Sequence, residues 1–429
     1  MRLQYSGILF LHYHYPPIKN SGVYRNYFLS HALLRYIDNT YLFTTSNQNI
    51  LPNEELPISN KIHLQVIPTF DYRTLVSYFG KTRKTNLGNQ FSETSKSSFF
   101  FQKLIQFQRS FPFNIFFAEG SIIYILFAFF KAIPLIKNKK INIVYSSFMP
   151  YADHIIAWML KKRFPHLIWV ADFRDLHVEP IYKNVLWPKF QQKVEKYLLQ
   201  KADIITTVSE GISKKMSELH QNVHTITKGV DLREPQDLFD KFTIHYSGSL
   251  FRDFRNPKPL LSAISQLLQS KEILSDDITF LYAGKDEATL RTWVQEYDLM
   301  EIFDSRGLID RNPAIEMQNK SHINLLLTSA SLEHTGLLTG KLFEYIEAGR
   351  EILCLINGAK DSEIENLFQK YKLGVVAYNE NNIKEYIQHK YNEWKMTGSV
   401  KSYHDKEGLK NNLSWDIQAK KLYNIICNR

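Results

Sequence analysis

Two cysteines in 429 residues, Cys354 and Cys427, leave no disulfide framework. Cys354 lies in the apolar run EILCLI, where a buried free thiol is expected, and a reducing cytoplasm suits it. The opening stretch MRLQYSGILFLHYHYPP has too short an apolar run for a secretion signal and no small-residue cleavage site. A bilayer-crossing segment is also missing. The most apolar stretch, IFFAEGSIIYILFAFFKAIPLI (115–136), is interrupted by Glu119, Lys131 and Pro134, so it falls short of the ~20 residues a span needs. A buried or interfacial helix is expected there. Two nucleotide fingerprints are absent as well. No G-x-G-x-x-G follows the first strand-like run, which argues against NAD. The stretch HTGLLTGKLFEYIEAG (334–349) resembles a P-loop at first sight, but Leu342 stands where a magnesium-binding hydroxyl must follow Lys341. That excludes an ATPase of the P-loop kind.

What is present is ordinary for a globular chain: 44% hydrophobic and 22% charged residues, in a length that suggests two domains of about 200 residues. The net charge of +10 favours anionic partners such as nucleotides or an acidic membrane surface. Nucleic acid is set aside, because the basic residues are dispersed rather than gathered in one motif. SSFFFQKLIQFQRSFPF (97–113) mixes Phe with Lys and Arg. That composition suits a surface resting on lipid headgroups and, equally, a helix packed in its own domain.

Short apolar runs at 7–12, 40–45, 62–67, 141–147, 167–172 and 203–208 read as strands, several without a polar face, as in a parallel sheet covered by helices. Amphipathic segments such as 151–163 and 187–201 read as crossover helices, and 68–100 as a long loop. A second series starts over at 242–247, 278–283, 322–327, 351–356 and 374–378, with helices at 257–270, 286–298, 340–348 and 361–369. KGVDLREPQDLFDK (228–241) is the natural linker. The expected fold is α/β with two doubly wound domains, 1–228 and 229–405, and ligand at the strand C-termini. Residues 406–429 end in a helix near 414–425 that is free to pack anywhere, including back on the first domain.

The strand ends supply the candidate residues. After the first strand come His12, His14 and then Gly22, which opens a helix and lets backbone N–H groups approach a phosphate or sugar. The histidines fit acid–base work or a structural role among aromatics. DFRDLHVEP (172–180) holds Asp172, Arg174, Asp175, His177 and Glu179. It reads either as a self-contained ion-pair cluster or as carboxylates that an arginine orients toward a sugar hydroxyl. Gly248 and Ser249 permit a tight turn, and Arg252, Arg255 and Lys258 follow, a set suited to a diphosphate. Gly284 ends the next strand, and Leu308, Ile309 and Arg311 lie in a loop able to hold a base. In 334–349, Thr339 is placed to cap a helix whose N-terminus, with Gly340 and Lys341, attracts anions. Glu344 shares a face with Lys341 by its spacing. It is either a ribose acceptor or half of a surface pair.

In this order, PPIKNSGVYRNYFLSHAL, SSFMPYADHIIAWMLKKRFPHLIWVADFRD, ADIITTVSEGI, TKGVD, IHYSGSLFRDFRNPKPLLSAI, GLIDRNPAIEMQNKSHINLLL and TGKLFEYIEAGREIL resemble the retaining glycosyltransferases of family 4, across essentially the whole chain. The variant with DFRD and TGKLFEY is similar to bacterial enzymes of surface-polysaccharide synthesis. The resemblance implies the GT-B fold, two facing Rossmann-like domains, an N-terminal one for the acceptor and a C-terminal one for a nucleotide-diphosphate sugar, with UDP the expected nucleotide. It implies no metal and no cofactor beyond that co-substrate, and a saccharide or lipid-linked acceptor. The expected location is cytoplasmic, with peripheral contact on an anionic inner membrane face.

Residue by residue, the family's ribose-holding glutamate corresponds to Glu344, and its diphosphate-gripping cations to Arg252 and Arg255, with Lys258 beside them. Its acceptor-side position falls within Arg174–Asp175. Those two residues, Arg252 and Arg255 form the implied catalytic set. The donor set adds Gly22, Gly248, Ser249, Gly284, Leu308, Ile309, Arg311, Gly336, Leu337, Leu338, Thr339, Gly340 and Lys341, and His12, His14, Asp172 and His177 fall on the acceptor side. The family's first motif glutamate would stand at Gly336, a departure that leaves the sugar hydroxyls to Glu333, His334 or backbone N–H groups of Gly336–Leu338. Two rival readings remain: a nucleotide-sugar epimerase of the same architecture, and a non-catalytic nucleotide- or carbohydrate-binding subunit.

Overall fold

Strands such as GILFL and INLLLTSA have no polar face, so both sides of any sheet they form must be covered. A computed structural model describes residues 7–19, 21–46, 54–69, 103, 106–117, 119–178, 184–250, 255–331, 335–336 and 338–429. It contains two parallel sheets clothed in this way. The chain divides into one unit of residues 1–229 with 415–429 and a second of 230–414.

In the first unit the strands are β1 (Gly7–Leu11), β2 (Asn39–Thr45), β3 (Ile62–Ile67), β4 (Ile143–Phe148), β5 (Ile168–Phe173), β6 (Ile204–Thr207) and β7 (Val223–Thr225). They run parallel in the order β3-β2-β1-β4-β5-β6-β7. The helices are α1 (Ser21–Leu33), α2 (Phe113–Phe117), α3 (Ile122–Asn138), α4 (Ala152–Arg163), α5 (Pro188–Leu199) and α6 (Glu210–Met216). Alternate residues of the strands feed two cores: Leu9, Leu11, Val144 and Trp169 face one side, and Ile8, Phe10, Ile143 and Ile168 the other.

The second unit repeats the scheme with β8 (Phe242–Ser247), β9 (Ile278–Ala283), β10 (Phe303–Ser305), β11 (Ile323–Ala330), β12 (Glu351–Gly358) and β13 (Gly374–Ala377), ordered β10-β9-β8-β11-β12-β13 and again parallel. Its helices are α7 (Lys258–Gln269), α8 (Glu287–Glu296), α9 (Arg311–Lys320), α10 (Gly340–Ala348), α11 (Ser362–Tyr371), α12 (Glu380–Thr397) and α13 (Lys406–Leu413). In each sheet the strand order reverses once, between β1 and β4 and between β8 and β11. Loops diverge there and leave a crevice at the strand C-termini.

Residues 406–414, grouped above with the terminal helix, cluster with the second unit; only α14 (Trp415–Cys427) returns to the first. There Trp415 stacks on Phe28 with ring centroids 5.3 Å apart, and Tyr423 stacks on Tyr36 at 5.2 Å. Cys354 is buried and free, and burial pushes its thiol up. Most of the loop expected at 68–100, and residues 97–102 and 104–105 of the Phe-rich stretch, lie outside the described residues. The apolar segment 115–136 falls in α2 and α3, with Glu119 between them. Among the described residues no helix is long and apolar enough to cross a membrane.

Candidate functional site

The switch point of the second sheet gathers a cationic cluster. β8 ends in Ser247 and the turn Gly248–Leu250, which two stacked tyrosines fix. Tyr246 Oη donates to Ser249 O at 2.8 Å, and Tyr282 Oη donates to Gly248 O at 2.9 Å. Asp286 Oδ2 accepts from the Leu250 N–H at 2.8 Å. Only glycine serves at 248: its φ is +152°, and a Cβ would fall 2.5 Å from Lys341 Cε. The Lys341 side chain therefore lies along the Gly248 backbone. Lys341 lies in the first turn of α10, where the helix dipole already carries positive potential. Burial pushes this ammonium below its ordinary value; Glu344 opposes the shift and Arg255 adds to it. Among the described residues, no carboxylate makes an ion pair with it. Two cations and a helix N-terminus thus converge on one spot, an arrangement suited to an anion.

Glu344, half-buried on the same helix, accepts from Gln318 Nε2 at 3.5 Å, and no ion pair with Lys341 forms. Its neighbour Glu347 is engaged instead: Arg233 donates to Glu347 Oε2 at 3.1 Å, to Gln318 at 3.2 Å and to Asn319 at 3.1 Å. Burial lowers the pKa of the Arg233 guanidinium, and Arg311, which opens α9, adds to that shift. Leu308 is exposed and Ile309 half-buried in the preceding loop.

Several candidates serve other ends. Lys258 is drawn to Glu296 at 2.8 Å and lies over Trp293, so its charge is committed at the surface rather than left for a diphosphate. Gly284 is small because a Cβ would strike Gly248 O and Tyr282 Oη at 2.3 Å; it locks two loops together. Thr339 occupies the N-cap position, yet its hydroxyl caps nothing and is buried without a hydrogen-bond partner. The N–H of Gly336 is donated to Asp361 Oδ2 at 2.6 Å and that of Leu338 to Gly336 O at 2.8 Å, so neither is available to a sugar. Asp361, buried at the N-cap of α11, also accepts from the Glu363 and Ile364 N–H groups. Arg252, Glu333, His334 and Leu337 lie outside the described residues, as does Glu179 of the first unit.

In the first unit Asp172 is structural rather than acceptor-facing. It is fully buried at the end of β5 and takes two bonds from Arg25 of α1, at 2.5 and 3.0 Å, with a third from Thr206 at 2.8 Å. Burial alone would raise its pKa, but Arg25 and these bonds hold it below the ordinary value. Arg25 donates in addition to Ile226 O at 2.9 Å. Arg174 Nε donates to Phe148 O at 2.9 Å, and a Cβ on Gly22 would fall 1.1 Å from Arg174 Nη1. Gly22 is therefore small to seat this guanidinium, which already fills the space expected for a donor phosphate. Asp175 beside it is exposed.

His177 is buried among Phe111, Phe148 and Tyr151, with burial lowering its pKa to about 4, which removes it from acceptor contact. His12 is stacked flat on Tyr145 and its pKa is lowered by burial to about 3, too weak a base for catalysis near neutrality. His14 Nε2 lies 2.5 Å from Glu119 Oε2. Among the described residues no group of three His, Cys, Asp or Glu side chains is placed to hold a metal ion.

The groups that sequence reasoning missed are Arg25, Gln318, Arg233, Asp361 and the tyrosine pair. Only Arg25 left a signal, a cation within a largely apolar and aromatic helical stretch, GVYRNYFL.

The chain is similar to solved structures over its whole length. It matches sucrose-phosphate synthase from Thermosynechococcus elongatus at 12% identity and TM-score 0.62, covering 98% of both chains. It matches S. aureus TarM in complex with fondaparinux, α-GlcNAc-glycerol and UDP at 10% identity and TM-score 0.60, covering 98% of this chain and 99% of that one. A protein described as UDP-N-acetylglucosamine 2-epimerase from Listeria monocytogenes matches at 10% and 0.53, over 98% and 95%. No family model and no curated protein matches the sequence. At such identities the likeness establishes the fold alone: two Rossmann-like units of the GT-B class.

Proposed function

We propose that the protein is a glycosyltransferase that takes a sugar from a nucleotide-diphosphate donor, with UDP the first nucleotide to test, and passes it to a saccharide or lipid-linked acceptor in surface-polysaccharide synthesis. The observation that carries this reading is Lys341, held against Gly248 beside Arg255 at the N-terminus of α10. A diphosphate is the anion that suits this cluster, Lys341 having no ion pair among the described residues. As the bond from the anomeric carbon to the diphosphate oxygen breaks, charge grows on that oxygen, where these groups are fixed in advance. Lys341 and Arg255 take the neutralising role a divalent ion has in other transferases. Attack by the acceptor hydroxyl from the leaving-group side retains configuration, and its proton passes to the departing diphosphate. Glu344, which accepts from Gln318 Nε2 at 3.5 Å, is placed to accept from a ribose hydroxyl as well. In the first unit, exposed Asp175 beside Arg174 is the group to orient an acceptor hydroxyl.

Thermal shifts with UDP, GDP, ADP and their sugars test the binding half, and product formation with EDTA present tests the chemistry. Stabilisation by one nucleotide that Lys341→Ala abolishes, with EDTA-resistant transfer, is expected. Equal stabilisation of the wild type and Lys341→Ala would place the nucleotide elsewhere. The likeness to the described epimerase favours a second reading, in which UDP-N-acetylglucosamine is epimerised without an acceptor. NMR of the enzyme with the UDP-sugar alone decides between the two.

A further inference from the structure

Helix α3 carries an apolar face that stands exposed among the described residues of its unit. One side, with Tyr124, Ile125, Ala128, Ala132 and Ile136, is buried in the core of the first unit. The other presents Ile122 at 37% exposure, Ile123 at 40%, Leu126 at 41%, Phe127 at 55% and Phe130 at 65%. At 3.6 residues per turn these five positions occupy an arc of roughly 140°. Side chains of this kind scattered singly on a surface need no explanation, but a contiguous stripe marks an interaction site.

The charges beside the stripe identify its occupant. From residue 122 to 140 every charged side chain is a lysine: Lys131, Lys137, Lys139 and Lys140, all exposed and all in the C-terminal half of the helix or just beyond it. A second copy of this chain docked on the same face would bring like charges together with no acid to answer them. An anionic lipid surface meets both halves of the pattern, taking Phe and Ile side chains at the acyl boundary and the lysine ammonium groups among its headgroups. The helix must lie flat, because its opposite face is committed to the core and Pro134 and Lys131 interrupt the apolar run.

We propose that the exposed face of α3 docks the first unit on an anionic bilayer surface, with Phe127 and Phe130 inserted and Lys131, Lys137, Lys139 and Lys140 against the headgroups. This site is separate from the cationic cluster near Lys341 and does not depend on the reaction proposed above.

The full-length protein, without nucleotide or acceptor, is sedimented with neutral phosphatidylcholine vesicles and with vesicles in which about 30% of the lipid is phosphatidylglycerol. Binding to the anionic vesicles is expected, with at least about a tenfold loss of partitioning in Phe127→Ser/Phe130→Ser. Lys137→Ala/Lys139→Ala/Lys140→Ala should lose the preference for anionic lipid. Both variants change exposed side chains, and far-UV circular dichroism verifies their folding; Ile123→Ser/Leu126→Ser substitutes for the first if it does not fold. Unaltered partitioning of the serine variant, or no binding by the wild type, overturns the proposal. So does a wild-type dimer in solution that the serine variant dissolves, since the occupant would then be a second copy.

Discussion

The two sheets share one strand order through six strands, yet they treat charge at the switch point in opposite ways. In the first unit Arg25 meets Asp172 in a buried pair, with Thr206 donating to the carboxylate and Arg25 also to the Ile226 carbonyl. In the second, Lys341 is drawn into the protein against a glycine, with another cation near it and, among the described residues, no carboxylate in an ion pair with it. The first arrangement is closed and holds α1 against the ends of β5 and β6. The second is electrostatically incomplete, and incompleteness in a partly buried place costs stability that a ligand can restore. One topology thus hosts a structural cluster and a binding cluster, and the balance of charge separates them.

Breaking the closed pair should give the largest effect. Arg25→Ala leaves a buried carboxylate without its cation, a change worth about 3–5 kcal/mol. A large fall in Tm is expected, read by calorimetry. Replacing both partners, Arg25→Met with Asp172→Leu, should recover much of it, because an apolar pair of similar volume needs no counter-charge. If that double variant is stable but inactive, the pair acts in catalysis and the contrast between the units fails.

The open cluster predicts the reverse signature. Lys341→Ala and Arg255→Ala should each lower turnover at least about a hundredfold, which corresponds to ~2.7 kcal/mol of transition-state stabilisation. Stability should hold or rise in Lys341→Ala, since a burdened cation is removed. Glu344→Ala should weaken nucleotide binding while leaving free sugar phosphates unaffected. Steady-state kinetics and calorimetry on the same preparations check this, and a stability loss matching that of Arg25→Ala would mean that Lys341 is structural too.

Much of this layout was legible in the sequence. Two-sided apolar strands announced two parallel sheets, and reading the strand ends led to Gly248, Arg255, Lys341 and Glu344. Helix α12 was overlooked, although Ile383, Ile387 and Tyr391 at four-residue spacing mark its buried side among charged residues. Strand β7, three residues long, is too short to show a period. What could not be read was pairing across distance. Arg25 and Asp172 are 147 positions apart, and Gly22 gives no hint that a distant arginine fills the place of its missing side chain. Lys258 likewise resembled its basic neighbours until α8 brought Glu296 to it. A local pattern shows that a residue can bind an anion; only the fold shows that the position is already filled.

The smallest expected effect concerns buried acids, which set the units apart once more. Asp153 and Glu195 of the first unit are carboxyls whose pKa values burial raises to about 7 and about 8, with ordinary values near 3.8 and 4.5. Asp153 has bonds from the Tyr13 N–H and Tyr124 Oη, whereas Glu195 Oε1 is buried with no hydrogen-bond partner. In the unfolded chain both ionise near pH 4, while in the fold they keep their protons until pH 7 or 8. Between those limits the folded state holds more protons than the unfolded one, so stability must decline as pH rises. Glu195→Gln keeps the shape and removes the titration. It should leave Tm almost unchanged at pH 5 and raise it by a few degrees at pH 8. A wild type and variant that respond alike across that range would mean that Glu195 is already satisfied in solution, and the first unit would then owe its pH dependence to Asp153.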